Sequence, residues 1–344
     1  VKVATVHVVP RFRATAVVAA AALLMAGCAT GPGLAKTHSA RRTVQAGADA
    51  NSTDPSTKPS AQAGKPVDPA FAAERLRLVN PCAVIEKEVL QTVGTPSKYT
   101  SSNYTRCSNY MKDKAGKTLN ITLEIGYTLS STELKNATKQ LAGLKSAEQK
   151  LGSSCFITAV TQENPGQSVR IQSSTGTGDQ AGDPCEPGRK VLEGAVRKLR
   201  GNPQKYTPPK GSPVEVDPCA AVDRATLAPV LGASPRALPF GLHQCSWTGQ
   251  SAQMQLEFRT ARIPKDGKFD RDSAEVDLGG VKGYQVLKDG PFPTCDLIVV
   301  RTKDSSDAGE IADFSVGASK EKTLDRCQAA QAFAKAVLPG LPSA

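Results

Sequence analysis

The chain has 344 residues, 43 Lys and Arg against 32 Asp and Glu, and a formal net charge of +11. Its length suffices for two domains, and with aromatics at 5% of residues their cores would be modest. No long basic stripe interleaved with aromatics exists, so nucleic acid is excluded as an expected partner; the net charge of +5 over residues 79–200, against −1 over 216–339, suits anionic headgroups or wall polymers instead.

Residues 1–27 read as a lipoprotein signal peptide, with Val1 an initiator written from an alternative start codon. Lys2, Arg11 and Arg13 precede a 14-residue Ala/Val/Leu run, Ala14 to Gly27, that is shorter than the roughly 20 residues a bilayer span needs. The run ends Leu24-Met25-Ala26-Gly27-Cys28, which resembles the bacterial lipobox, with Met25 where that motif usually has Leu. An ordinary secretory signal followed by an incidental cysteine is the alternative. As a lipobox it makes Cys28 the lipidated mature N-terminus. Acyl chains such as palmitate, at about 0.8 kcal/mol per buried CH₂, would hold the protein at the extracytoplasmic face of the cell membrane. Residues 28–78, rich in Ala, Gly, Ser, Thr and Pro, carry no apolar period and read as a flexible tether. Glycosylation of this segment, at Asn51-Ser52-Thr53 or on its hydroxyls, is left open.

The remaining eight cysteines form two sets of four. Cys82, Cys107, Cys155 and Cys185 are separated by 25, 48 and 30 residues; Cys219, Cys245, Cys295 and Cys327 by 26, 50 and 32. Two copies of one domain are therefore expected, over 79–200 and 216–340, joined by a Pro/Gly/Lys linker at 201–215. Each copy opens with Asn80-Pro81-Cys82-Ala83 or Asp217-Pro218-Cys219-Ala220, a helix-start pattern. Ile85, Val89 and Val93 in one copy, and Val222, Leu227 and Leu231 in the other, follow at helical spacing. Gly94 and Gly232 are read as the left-handed stops.

Alternating strands come next, at Leu119–Ile125 and Met254–Phe258, then after Cys155 and Cys295, then near Val169–Ile171 and Ala312–Val316. A closing helix buries Val191, Leu192, Ala195, Val196 and Leu199, or Ala329, Ala330, Phe333, Val337 and Leu338. In the first copy Leu134, Ala137, Leu141, Leu144 and Leu151 predict an amphipathic helix over 132–151, ended by Gly152; its counterpart, 262–277, is charged and irregular. The fold class is thus α+β: two tandem disulfide-stapled domains, each an antiparallel sheet with helices at its N- and C-terminal ends. Repeat symmetry leaves three pairings per copy. The expected set is Cys82–Cys107, Cys155–Cys185, Cys219–Cys245 and Cys295–Cys327, each tying a terminal helix to the sheet and stabilising by about 3–4 kcal/mol on the chain-entropy argument.

The lipobox, the Ala-rich tether, the Asn/Asp-Pro-Cys-Ala starts, Cys245-Ser246-Trp247 and the late cysteines together resemble the actinobacterial lipoprotein family built on the domain of unknown function 3558. The second copy matches more closely; the first has Asn80 for Asp and Asn109 for Trp. The resemblance implies an envelope lipoprotein, similar in architecture to extracellular sensor domains, and assigns no chemistry.

Residue chemistry points away from catalysis. Outside the signal peptide only His38, in the tether, and His243 remain, so no His-based metal site or Ser-His-Asp set is duplicated. His243 reads as structural or solvent-facing. Cysteine spacings and an oxidising location disfavour metal thiolates. Asp266, Asp270, Asp272, Glu275 and Asp277 cluster without EF-hand spacing and read as a solvated loop rather than a calcium site. Tyr99, Tyr104 and Tyr110, interleaved with Ser and Asn around Cys107, have the composition of an adaptable binding loop and equally suit a packed sheet edge. Trp247, following a cysteine on a strand, is expected in the core.

The expected function is a non-catalytic binding, sensing or scaffolding lipoprotein that recognises an envelope protein, peptide or glycan, with no cofactor or metal. A cell-wall-directed enzyme using Glu124 and Glu257, at matching strand positions, and a purely structural spacer are the alternatives.

Overall fold

The computed structural model describes residues 64–176, 183–266 and 268–343. Cys28, the signal peptide and the glycosylation triplet lie outside them. Both repeats belong to one compact unit.

Leu119, Ile121, Leu123 and Ile125 alternate with Asn120, Thr122 and Glu124, and the apolar set is buried, as a strand with one face on a core requires. That strand is β4 of the first sheet, which comprises β1 (Gly94–Thr95), β2 (Tyr99–Asn103), β3 (Arg106–Asp113), β4 (Thr118–Thr128), β5 (Lys139–Leu141), β6 (Leu144–Leu151), β7 (Ser154–Glu163) and β8 (Gly166–Thr175). Its order is β1-β3-β4-β8-β7-β6-β5, with β2 also on β3. The second sheet has β9 (Arg236–Pro239), β10 (Gln244–Gly249), β11 (Ala252–Arg262), β12 (Ala274–Asp277), β13 (Lys282–Lys288), β14 (Thr294–Lys303) and β15 (Ala308–Ala318). Its order, β12-β13-β14-β15-β11-β10-β9, repeats the first read from the other end, with β9 alone where the first sheet has β1 and β2 on β3, and every pairing is antiparallel.

Among the described residues six α-helices accompany the sheets: α1 (Ala73–Leu76), α2 (Lys87–Gln91), α3 (Ser131–Asn136), α4 (Cys185–Arg200), α5 (Arg224–Leu231) and α6 (Arg326–Val337). The closing helices α4 and α6 lie on β7–β8 and β14–β15, burying Val191, Leu192, Ala195, Val196 and Leu199 in one repeat and Ala330, Phe333, Ala334 and Val337 in the other. The four disulfides are Cys82–Cys107, Cys155–Cys185, Cys219–Cys245 and Cys295–Cys327, each joining a helical segment or turn to a strand. No helix among the described residues is long and apolar enough to cross a membrane.

Four expectations need correction. The 132–151 helix does not form. A capping box on Ser130 starts α3, which stops at Asn136, and the rest is the β5–β6 hairpin. Leu141 and Leu144 are cross-strand partners around the turn Ala142-Gly143, both residues at positive φ (50° and 76°). A two-residue hairpin places its flanking residues three apart and side by side, so it mimics helical spacing. Ala142 adopts this backbone at a cost that Asn would reduce. Ala142→Asn is expected to raise stability by about 0.5–1 kcal/mol, read from the urea midpoint.

Residues 64–78 are not tether. Phe71 and Leu76, presented by a Pro69–Phe71 turn and α1, enter the first core, and Leu78 packs against the second. Phe71, Leu76 and Leu78, scattered through an Ala-rich stretch at spacings of five and two, are too few to show a period. Gly94 does not end a helix in a left-handed turn: it opens β1 opposite Asp113, whereas Gly232 does follow α5 at φ 84°. Accordingly Ile85 and Val93 lie outside the short α2, though both are buried. Finally, the stretch 262–277 is not wholly irregular, since it ends in β12, paired with β13.

Candidate functional site

The repeats interlock through one pair of equivalent residues. Tyr104 lies three positions before Cys107, and Leu242 three before Cys245. Tyr104, of the first repeat, is 7% exposed and belongs to the second core, with Trp247, Leu256 and Phe258. Leu242, of the second repeat, is 3% exposed and belongs to the first core, with Leu123 and Ile125. This reciprocity is what an isologous contact gives when both halves sit in one chain.

Gly126 makes room for the exchange. It occupies a register shift between β4 and β8 at φ 75°, and a Cβ there would collide with Leu242. The Gly241 N–H donates to Thr128 Oγ1 at 2.6 Å. Arg77, from the segment expected to be tether, closes the junction: its Nε donates to the Leu242 carbonyl at 3.1 Å and its Nη2 pairs with Asp217 at 2.6 Å. Nothing local in the sequence marks Arg77 for this role.

Between the repeats lies a cleft of about 130 Å³ walled by the outer faces of β4 and β11 and by the turn before β10; Glu124, Tyr127, Phe240, His243, Glu257 and Arg259 line it. Glu124 and Glu257 are thus brought to one site. Strand register gives them different neighbours. Glu124 stands between Arg106 on β3 and Arg170 on β8, and Arg170 Nη2 donates to its carboxylate at 2.7 Å. The Arg170 guanidinium also sits 3.5 Å over the Tyr127 ring, whose hydroxyl donates to Glu133. Glu257 stands between Gln244 on β10 and Asp313 on β15. Asp313 takes the nearby Arg259 at 3.0 Å, and Glu257 has no ion-pair partner among the described residues. Burial pushes the carboxyls of both Glu257 and Asp313 up, against the opposing charge of Arg259.

His243 is buried, its ring 4.8 Å from that of Tyr104, and neither ring nitrogen has a hydrogen-bond partner among the described residues. Burial, reinforced by the Arg77 charge, pushes its imidazole down to about 3, so it is neutral at physiological pH.

The three tyrosines singled out as a binding loop diverge. Tyr99 donates its hydroxyl to the Ile85 carbonyl at 2.8 Å at the edge of the first core. Tyr104 plugs the second core, its hydroxyl raised by burial and by the Glu310 charge. Tyr110 is 59% exposed on β3. Only Tyr104 lines the cleft. Trp247 is fully buried, edge-on to Phe333.

Four of the five acidic residues of 266–277 serve local turns and the β12–β13 hairpin. Asp266, Asp270 and Asp277 accept nearby backbone N–H groups, and Glu275 pairs with Lys282. The one group with metal-ligand proximity among the described residues, Glu148 with Cys155 and Cys185, consists of a disulfide and a carboxylate held by Arg189 at 2.8 Å.

No family model matches the chain, and no curated protein matches it. Among solved structures it is similar to MucB, crystallised in complex with MucA(peri), at 10% identity over 75% of this chain and 96% of that one, with a TM-score of 0.13. It is also similar to RV0216, a conserved hypothetical protein from Mycobacterium tuberculosis with a double hotdog fold, at 13% identity over 70% and 82%, with a TM-score of 0.12. Neither similarity reaches the level of a shared fold.

Proposed function

We propose that this chain is a lipid-anchored lipoprotein of the extracytoplasmic face of the cell membrane, related to the family of the domain of unknown function 3558, that binds or senses an envelope component without catalysis. The junction cleft is its ligand site. The observation that carries the reading is the cleft's construction from both repeats, with paired charges, aromatic rings and one unpaired carboxylate on walls joined by the exchanged Tyr104 and Leu242. The anchor is tested by labelling cells with an alkyne-bearing palmitate: Cys28→Ser is expected to lose the label and leave the membrane fraction, and a variant that keeps both would remove the anchor from the reading. The site is tested by photocrosslinkers placed at Phe240 and, as a distant control, at Leu151. A species captured at Phe240 alone supports the cleft, and equal capture at both counts against it.

One alternative gains a specific observation. Glu124 and Glu257 line the same cleft, one paired with an arginine and the other raised by burial, and carboxylates in contrasting environments are the raw material of acid/base hydrolysis. Turnover of wall fragments by the purified protein, lost in both Glu124→Gln and Glu257→Gln, would favour the enzyme.

A further inference from the structure

The two repeats carry a glutamate at the same sheet position and treat it oppositely. In the first, the row across the outer face reads Asn103, Arg106, Glu124, Arg170. In the second it reads Phe240, Gln244, Glu257, Asp313, because the Phe240 N–H donates to the Gln244 carbonyl at 2.9 Å and extends the register one step beyond β9. Glu124 has an arginine on either side; Glu257 has an amide and a carboxylate. Of the cations near the second row, Arg259 is engaged by Asp313 and Lys288 by Asp296. Phe240 is 57% exposed at the cleft. With strands about 4.8 Å apart, Phe240 and Glu257 stand about 10 Å apart along the row, with Gln244 between them.

We infer that the second repeat's side of the junction cleft binds an organic ammonium group on a short apolar stem, its charge on Glu257 and its stem against Phe240. The assignment rests on the cleft being a binding site. A carboxylate and an exposed aromatic ring together recognise an alkylammonium ion, the carboxylate through a charge-assisted hydrogen bond to the ammonium and the ring by packing on the apolar stem. A neutral or anionic ligand would leave the half-buried Glu257 without an ion-pair partner among the described residues. Bound cation supplies there the pairing that Arg170 gives Glu124, and so draws the raised Glu257 carboxyl back toward its ordinary range. The cleft's volume of about 130 Å³ admits a chain of a few carbons and not a whole sugar chain.

The experiment uses the full-length chain in lipid nanodiscs, with Ile and Leu methyl groups labelled and the Ile125 and Leu242 signals followed by NMR at pH 7.5. The probes are n-butylammonium, n-butanol and butyrate. The expected result is saturable movement of both signals with n-butylammonium, at least about tenfold tighter than with either other probe. Glu257→Gln is expected to erase that preference, Glu257→Asp to keep part of it, and Phe240→Ala to weaken binding while leaving the preference intact. Unchanged signals elsewhere show that each variant folds. Equal affinities for the three probes, or an unaltered preference in Glu257→Gln, overturn the inference. Movement at Leu242 with n-butanol or butyrate but not with n-butylammonium overturns the cation and leaves the cleft as a site. No movement with any probe, with no capture at Phe240, removes both. Nα-acetyl-lysinamide separates the sources: tighter binding than n-butylammonium places the ammonium on a peptide side chain, and weaker binding on a free amine. Either result supports the chemistry.

Discussion

Leu242→Ala is expected to destabilise the protein by about 2–5 kcal/mol, and the loss to appear in the repeat that does not contain the mutation. Leu242 fills a space among Leu123, Ile125 and their neighbours in the first core, so removing its branched end leaves a hole under β4 that Gly126, carrying no side chain, cannot fill. Tyr104→Ala is expected to act as the mirror image, costing about 3–5 kcal/mol and loosening β10 and β11. Amide hydrogen exchange reads the location directly. Faster exchange in β4 and β8 for Leu242→Ala, and in β10 and β11 for Tyr104→Ala, supports the reciprocal plug. Faster exchange confined to the mutated repeat would refute it. Denaturant unfolding should remain a single transition in the parent protein, since each core is completed by the other repeat.

The second large effect concerns acid. His243 is neutral in the folded protein down to about pH 3, whereas in the unfolded chain it takes a proton near its ordinary value of 6.5. Below that ordinary value the unfolded state binds more protons, so stability is full above about pH 6.5 and falls as pH drops through the window down to about 3. By pH 4 the loss amounts to about 3 kcal/mol. Glu257 and Asp313, raised by burial, act in the opposite sense, because their folded carboxyls hold protons more tightly than unfolded ones. The difference between the parent and His243→Leu isolates the imidazole. His243→Leu should flatten the acid limb, and at neutral pH it should cost little, since the ring nitrogens it removes have no hydrogen-bond partner. Urea midpoints measured from pH 4 to 8 decide the matter: parallel curves for the two proteins would contradict a buried neutral His243.

Local chemistry made part of this molecule legible from its residues. Asn80 and Asp217 accept the N–H groups of Cys82 and Cys219 as their spacing predicts, and the alternating runs become β4 and β11. The disulfides match the expected set, one of the three pairings per repeat that symmetry leaves, although Cys82 and Cys219 sit in short turns rather than α-helices. What the sequence hid was long-range. Tyr104 and Leu242 occupy equivalent positions, yet no local pattern says that each belongs to the other repeat's core. The β5–β6 hairpin read as a helix because Ala142-Gly143 lacks the Asn-Gly signature of its turn. The cleft depends on register: Glu124 and Glu257 look alike along their strands, and only the residues opposite them, Arg170 and Asp313, distinguish a compensated carboxylate from an open one.

The exchanged side chains also constrain when the chain can finish folding. Synthesis delivers the first repeat's strands and its closing helix before Leu242 exists, so that repeat waits with an unfilled core until the turn ahead of β10 emerges. Tyr104 waits longer still, for β15 and α6, since the core it enters includes Phe314 and Phe333. Contacts of such wide sequence separation carry a high loop-closure cost and slow the final step. Through that interval the chain presents an apolar pocket and an exposed tyrosine, surfaces that a holdase would cover and that would pair between neighbouring chains at high concentration.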